Sequence, residues 1–267
     1  MYKIIDSHCH IYPDKIAEKA SLNTGKFYNI PMELDGKVST LLAEGSKAGI
    51  GHFIVQSVAT TPAQVSSINN FISDCVKKSN GKMTGLGTLH PDSENIKEDI
   101  EEIISLGLKG VKLHPDIQKF KIDDYRMLKI YEKCEGKLPI LMHTGDSRYD
   151  YSNPNRLLPI LDIYKNLTVI GAHFGGWSIW TEAAKKLYKY ENLYVDCSSS
   201  LYAISTEQAK ELINLYGTDR VLFGTDYPMW TPKDEVEKFL KINLLQKERE
   251  DIFCNNAMKL FNIKPSF

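Results

Sequence analysis

The stretch "IIDSHCHIYP", residues 4–13, decides between the two folds that the rest of the chain allows. It opens on an apolar pair and an aspartate, as a strand does. It then runs into two imidazoles one residue apart, His8 and His10. An open doubly wound sheet carries a glycine-rich phosphate turn after its first strand. Here the first strand ends in His-Cys-His-Ile-Tyr-Pro, with no GxGxxG. The alternative is a closed barrel of parallel strands, in which the ends of the strands carry side chains for chemistry.

Working outward, apolar or β-branched runs recur with helical patterns between most of them. The strands read as "KIIDSH" (3–8), "HFIVQS" (52–57), "TGLGTL" (84–89), "KGVKLH" (109–114), "PILMHT" (139–144), "TVIGAH" (168–173), "LYVDCS" (193–198) and "RVLFGT" (220–225). The intervening segments carry helix signals. Pro62 opens one at a favoured first-turn position, Asp92 and Ser93 are candidate caps of another, and Gly49, Gly81 and Gly107 close three of them. Two further helices are expected after the last strand. Eight strand–helix units in 267 residues predict an α/β fold, a (β/α)8 TIM barrel, as a single domain over residues 1–267. Residues 11–36 are expected to form a long loop after strand one, near the barrel mouth, where it could cap a pocket.

The totals exclude several functions. Lys+Arg is 33 and Asp+Glu 34, for a formal net charge of −1, without the basic footprint of a nucleic-acid binder. No apolar run approaches the length of a membrane span. Five scattered cysteines, with no CxxC, fit reduced thiols better than a disulfide framework or a thiolate zinc site. The first residues read as a strand, not a leader, and the expectation is a cytoplasmic protein. A small molecule is the expected partner, with neither nucleic acid nor membrane; a homo-oligomer stays open.

The seven histidines are distributed unevenly. His8, His10, His90, His114, His143 and His173 sit at or just past the C-terminal end of a predicted strand; only His52 precedes its strand. In a barrel those ends converge on one face, which hosts the active site. Alternate residues of a strand point to one side, so His8 and His10 can grip one ion. "LMHTGD" adds His143, "GAHFGG" adds His173 and "FGTDYP" adds Asp226. Three histidines and a carboxylate suit zinc, iron or manganese. His52 reads as structural. His90 and His114 each precede a proline and could simply end a strand; His114 shares the inward phase of Lys112. Asp196, in "VDCS", could be a ligand, a partner to a histidine or a loop acceptor.

The set of segments "DSHCH" (6–10), "LDGKVSTLLAEGSKAGIGHFIVQS" (34–57), "GVKLHP" (110–115), "ILMHTG" (140–145), "VIGAHFGGW" (169–177), "LYVDCSSS" (193–200), "VLFGTDYP" (221–228) and "NNAMKLF" (255–261) resembles the amidohydrolase superfamily. It is most similar to the amidohydrolase-related branch that includes aminocarboxymuconate-semialdehyde decarboxylase-like enzymes. The resemblance implies that His8, His10, His143 and Asp226 ligate one divalent metal, usually zinc. Asp226 and His173 would be catalytic, with His173 polarising substrate or moving protons. Lys112, His173 and His114 would mark a second metal or a substrate contact. Metal-dependent deoxyribonucleases of the same superfamily place a glutamate in the fourth-strand region, where this chain reads Gly-Val-Lys-Leu-His-Pro.

The expected activity is hydrolysis of an amide, ester or lactone carbonyl by a metal-activated water. The alternatives are a non-oxidative decarboxylase (lyase) of a small carboxylic acid and a non-catalytic metal-binding barrel. A decarboxylase needs a cation for the substrate carboxylate, and Arg148 or Lys112 could supply it. Trp177, Tyr227 and Trp230, with Tyr149 and Tyr151, are candidate walls for a planar substrate.

Overall fold

The parallel strands follow the sequence pattern closely. The computed structural model describes residues 2–265 and 267. Its strands are β1 Ile5–His10, β2 His52–Gln56, β3 Met83–Gly85, β4 Gly87–Thr88, β5 Val111–Leu113, β6 Ile140–Met142, β7 Val169–Gly171, β8 Leu193–Asp196 and β9 Val221–Leu222. All pair in parallel, β1 to β3 in one run and β4 to β9 in another. β3 and β4 are two pieces of one stave. Leu86 N donates to Val55 O at 2.9 Å and Gly87 N to Gly110 O at 2.9 Å, so the chain changes neighbours at that point. The last strand returns to the first through Ser7 N to Phe223 O (2.9 Å), Asp226 N to His8 O (2.9 Å) and His10 N to Tyr227 O (2.7 Å). Nine short strands thus make the eight staves of a TIM barrel.

Alternation sorts the side chains. Ile5, Ile54, Leu86, Leu141, Ile170 and Leu222 form one buried cluster together with Cys254, Ala257 and Phe261 of the last helical turns. That is the barrel interior, filled as a packed core and closed below by the C-terminal segment. Their strand neighbours, such as Val111, Leu113, Ile140, Met142 and Val169, belong to a second cluster with the helices. Strands buried on both faces read as continuous apolar runs, which is why these were visible in the sequence.

The helices are α1 Ala17–Tyr28, α2 Val38–Lys47, α3 Val65–Lys78, α4 Ile96–Ser105, α5 Pro115–Gln118, α6 Tyr125–Cys134, α7 Leu157–Ile163, α8 Trp180–Leu187, α9 Thr206–Tyr216, α10 Pro232–Leu240, α11 Gln246–Glu250 and α12 Asn256–Phe261. A π turn, Asp251–Asn255, joins the last two. The excursion after β1 corrects one expectation. Residues 11–36 are not a structureless loop; they carry α1, which lies over the barrel mouth. It buries Ala17, Ser21 and Gly25, spaced by four but small, and leaves Leu22 exposed. A helix seated on small residues has no apolar stripe for periodicity to detect. A Cβ at Gly25 would come within 2.8 Å of Ile30 O, where the chain doubles back. Among the described residues, no helix is long and apolar enough to cross a membrane.

Candidate active site

The rim above the interior layer collects the predicted residues. His8, His10, Lys112, His114, His143, His173 and Asp226 all line one cavity of about 590 Å³. The remaining wall is mostly apolar and includes Phe27, Tyr28, Met32, Val58, Phe71 and Ile117.

β1 delivers two of these side chains. Its pairing with β2 is irregular between Asp6 and Cys9. The buried Asp6 carboxylate anchors that turn of chain, accepting from Thr225 N (2.9 Å), Thr225 Oγ1 (2.6 Å) and His8 N (3.2 Å). β9 and β1 must approach closely here, because a Cβ at Gly224 would sit 2.8 Å from His8 Cβ. The outcome is three converging donors: His8 Nε2 lies 3.2 Å from His10 Nε2, and Asp226 Oδ1 lies 3.4 Å from His8 Nε2 and 3.5 Å from His10 Nε2.

Each donor is held from behind. His8 Nδ1 meets Asp196 Oδ2 at 2.9 Å. Asp196 Oδ1 accepts from His173 N (3.2 Å), Ser198 N (3.0 Å) and Ser198 Oγ (2.5 Å). Of the three readings open for Asp196, two are observed together: one oxygen partners a histidine and the other accepts from the loop. Ser199 Oγ donates to Asp226 Oδ2 at 2.5 Å and accepts from Trp230 Nε1 at 2.8 Å. His173 and Asp226 both have left-handed backbone, with φ of 60° and 61°. Non-glycine residues adopt that conformation at a cost and cluster at functional sites.

The electrostatics follow from burial and neighbours. Burial pushes the Asp226 carboxyl up, but His8, His173, the Ser199 hydroxyl and Lys112 outweigh it and leave it below the ordinary carboxylate range. The Asp196 carboxyl is likewise held below its ordinary range: burial opposes this, and His8, His173 and Ser198 prevail. Burial lowers His173 to about 4, so its ring is neutral, with Nδ1–H donating to Ser198 O at 3.0 Å. Lys112 is buried with Nζ 3.1 Å from His8 Nε2, and burial lowers its ammonium to about 8 against the pull of Asp226 and Asp196.

The other predicted residues are placed differently. His143 stands apart from the three converging donors. Its Nδ1 is 3.1 Å from His173 Nε2, its ring stacks on His114 at 4.1 Å, and its Nε2 faces Asp116 Oδ2 at 3.6 Å. Arg148 does not border the cavity. Its guanidinium donates to both oxygens of Asp146 and to Phe27 O at 2.8 Å. Trp177 packs edge-on against Tyr28 outside the lining. Tyr227 Oη donates to Lys37 O at 2.7 Å, tying β9 to the start of α2. Trp230 reaches the site through Ser199. His90 Nδ1 accepts from Asp92 N at 3.2 Å as a loop cap. Sequence reasoning missed Tyr28, Asp116, Ser198 and Ser199 as contributors. The run "DCSSS" was the available signal for the serines; Tyr28 had none, because its helix was unseen.

The donor set fits a divalent cation. Bonds of about 2.0–2.2 Å place the ligand atoms of a tetrahedral ion about 3.4 Å apart. The three observed separations of 3.2, 3.4 and 3.5 Å match. A parallel barrel with two histidines and a carboxylate converging at its mouth defines a metal-site TIM-barrel enzyme. The Amidohydrolase family model matches residues 5–263, and the chain belongs to that family. A 2-amino-3-carboxymuconate-6-semialdehyde decarboxylase of Dictyostelium discoideum is 23% identical over 243 residues, 74% of this chain and 66% of that protein. This chain thus matches just under two thirds of that relative's length. Among solved structures, a TIM-barrel protein of Bordetella bronchiseptica superposes with a TM-score of 0.81 at 24% identity, covering 97% of this chain and 98% of that one. A dihydroxybenzoic acid decarboxylase from a Polaromonas species, solved with bound manganese and the inhibitor 2-nitroresorcinol, gives 0.76 at 16% identity, covering 100% of this chain and 98% of that one.

Proposed function

We propose that this enzyme is a divalent-metal-dependent, non-oxidative decarboxylase of a small planar carboxylic acid. The carrying observation is the spacing of His8 Nε2, His10 Nε2 and Asp226 Oδ1, opening into a mostly apolar cavity with Lys112 at its floor. Hydrolysis of an amide, ester or lactone uses the same donors and was the first expectation from sequence. Decarboxylation is preferred because the Dictyostelium and Polaromonas relatives are decarboxylases by name, and a mostly apolar wall suits the carbon skeleton of a small acid.

His8, His10 and Asp226 would hold the ion; the family resemblance adds His143, whose Nδ1 stands outside this triad and would have to move toward the ion to be a fourth donor. Zinc suits the nitrogen-rich set, and manganese is what the Polaromonas relative holds. When bound, the ion supplies positive charge that polarises an oxygen of the substrate. Asp196 fixes the His8 ring by accepting from Nδ1–H, which leaves Nε2 as the donor. Lys112 offers its ammonium to the substrate carboxylate, the role that Arg148 cannot reach from its clamp on Asp146. Asp226 is ionised at neutral pH. It takes a proton from water or a substrate hydroxyl and passes it to the carbon that loses CO₂. The neutral His173 ring, fixed by Ser198 O, turns its Nε2 lone pair toward His143 Nδ1 at 3.1 Å, so a cation or a donor hydrogen would lie between the two nitrogens. The carbon–carboxylate bond breaks, its electron pair stays on the substrate carbon, and a C–H bond forms there.

The test is a panel of hydroxylated benzoic acids, enoic acids, esters and lactones with zinc or manganese added, read by CO₂ release and by acid production. CO₂ from an acid in the panel, absent in Asp226→Asn, is the expected result. Ester or lactone cleavage without CO₂ would return the assignment to hydrolysis.

A further inference from the structure

The roof helix α1 hydrogen-bonds the histidines through the Tyr28 hydroxyl. Tyr28 Oη lies 2.5 Å from His114 Nε2 and 3.4 Å from His143 Nδ1. The direction of the shorter bond can be worked out from the other side of the His114 ring. His114 caps α5, and its Nδ1 accepts the backbone N–H of Ile117 at 3.3 Å. A ring nitrogen that accepts carries no proton, so the ring's N–H is on Nε2. His114 Nε2 therefore donates to Tyr28 Oη, and the tyrosine's own hydrogen remains free. His143 Nδ1 is the other nearby acceptor, and in the reading above its lone pair goes to the metal. The Tyr28 O–H then faces the cavity that the side chain lines.

We propose that Tyr28 contacts substrate, donating a hydrogen bond to an oxygen substituent on the ring of the bound acid. The inference deepens the decarboxylase reading and rests on it. The substrate carboxylate belongs at the His8 and Lys112 side of the cavity, so the group met by Tyr28 is a second oxygen, such as a ring hydroxyl. The same geometry gives Arg148 a use. Its guanidinium bonds Phe27 O at the end of α1 and lies 5.2 Å from the Phe27 ring and 5.5 Å from the Tyr28 ring. It is a positioning residue that fixes the roof from which Tyr28 hangs.

Isothermal titration of the manganese-loaded protein with benzoate and 2-hydroxybenzoate tests this. Wild type should prefer 2-hydroxybenzoate by about tenfold, the worth of one good hydrogen bond. Tyr28→Phe keeps the ring that packs on Trp177 and should abolish the preference, leaving benzoate affinity unchanged. A purely structural role would weaken both acids together, and that result overturns the proposal, as does a preference retained in Tyr28→Phe. Nitrogen NMR of labelled histidine gives a readout that does not depend on the metal: His114 protonated on Nε2 supports the assignment, and a proton on Nδ1 overturns it. Wild type that binds neither acid removes the decarboxylase reading and this inference together. Wild type that binds both, with no loss in the variant, removes only this one.

Discussion

On the β1/β9 side of the mouth, Asp196 Oδ2 holds His8 Nδ1 at 2.9 Å, and its other oxygen accepts three further hydrogen bonds. Across the cavity, Asp116 Oδ2 faces His143 Nε2 at 3.6 Å. Both groups are buried, and neither the Asp116 oxygens nor His143 Nε2 has a hydrogen-bond partner within range among the described residues. The two histidine–carboxylate pairs have the same chemistry and different degrees of completion. Folding alone assembles the first, because Asp196 also serves backbone N–H groups that must be satisfied. The second pair is looser: no hydrogen bond within range reaches the Asp116 oxygens, and Ser152 and Arg148 act on the carboxyl only from nearby. A metal-bound imidazole ordinarily donates its other N–H to a carboxylate, and Asp116 is positioned for that.

The largest effect should come from breaking the completed side. His8→Ala removes a donor of the converging set, and Asp226→Asn replaces its carboxylate by a neutral amide. Each should lower bound metal to near background and kcat/KM by at least about a thousandfold. Elemental analysis and CO₂ release measure the two losses. Asp226→Asn with full metal and full turnover would move the site elsewhere.

A finer test contrasts the two carboxylates behind the rings. Asp196→Asn and Asp116→Asn should each weaken metal binding by about 10–100-fold, read by competition with a chelator. They should part in the metal-free protein. Asp196→Asn breaks a bonded buried network and should lower the melting temperature. Asp116→Asn removes a buried carboxyl that makes no hydrogen bond within range and that burial pushes up to about 6, and it should leave the melting temperature unchanged or raised. Equal destabilisation by both would erase the distinction between the two sides.

The same contrast explains what the sequence disclosed. The staves were legible because strands buried on both faces must be apolar throughout. Leu141 with His143, and Lys112 with His114, were legible as inward pairs because alternation carries the phase from the core to the rim. Asp226 was legible through "FGTD" for the same reason. Arg148 was named for substrate because a lone arginine after a strand looks free, yet Asp146, two residues earlier, accepts both sides of its guanidinium. Periodicity says where a side chain starts, not what its far end finds. Tyr28 and the roof were missed because α1 is seated on Ala17, Ser21 and Gly25, which carry no hydrophobic signal.

The smallest expected effect on catalysis belongs to the histidine at the opposite end of the barrel. His52 is the first residue of β2, buried, with Nδ1 donating to Gly81 O at 3.1 Å and Nε2 accepting from Thr84 Oγ1 at 2.8 Å. Burial lowers its pKa to about 4, against partial support from the Gly81 carbonyl. The folded state therefore keeps the ring neutral, while the unfolded chain protonates it near pH 6.5. The stability that His52 contributes is fully present above about pH 6.5 and is lost as pH falls toward 4, because the unfolded state then binds the extra proton. Between pH 7 and pH 5 the loss is about 2 kcal/mol. His52→Gln keeps a donor and an acceptor but cannot titrate. Its kcat/KM should match wild type, while urea unfolding at the two pH values should lack that component of the decline. An activity loss like that of His8→Ala would mean that the two ends of the barrel are not chemically separate, and the assignment of the rim histidines by strand polarity would fail with it.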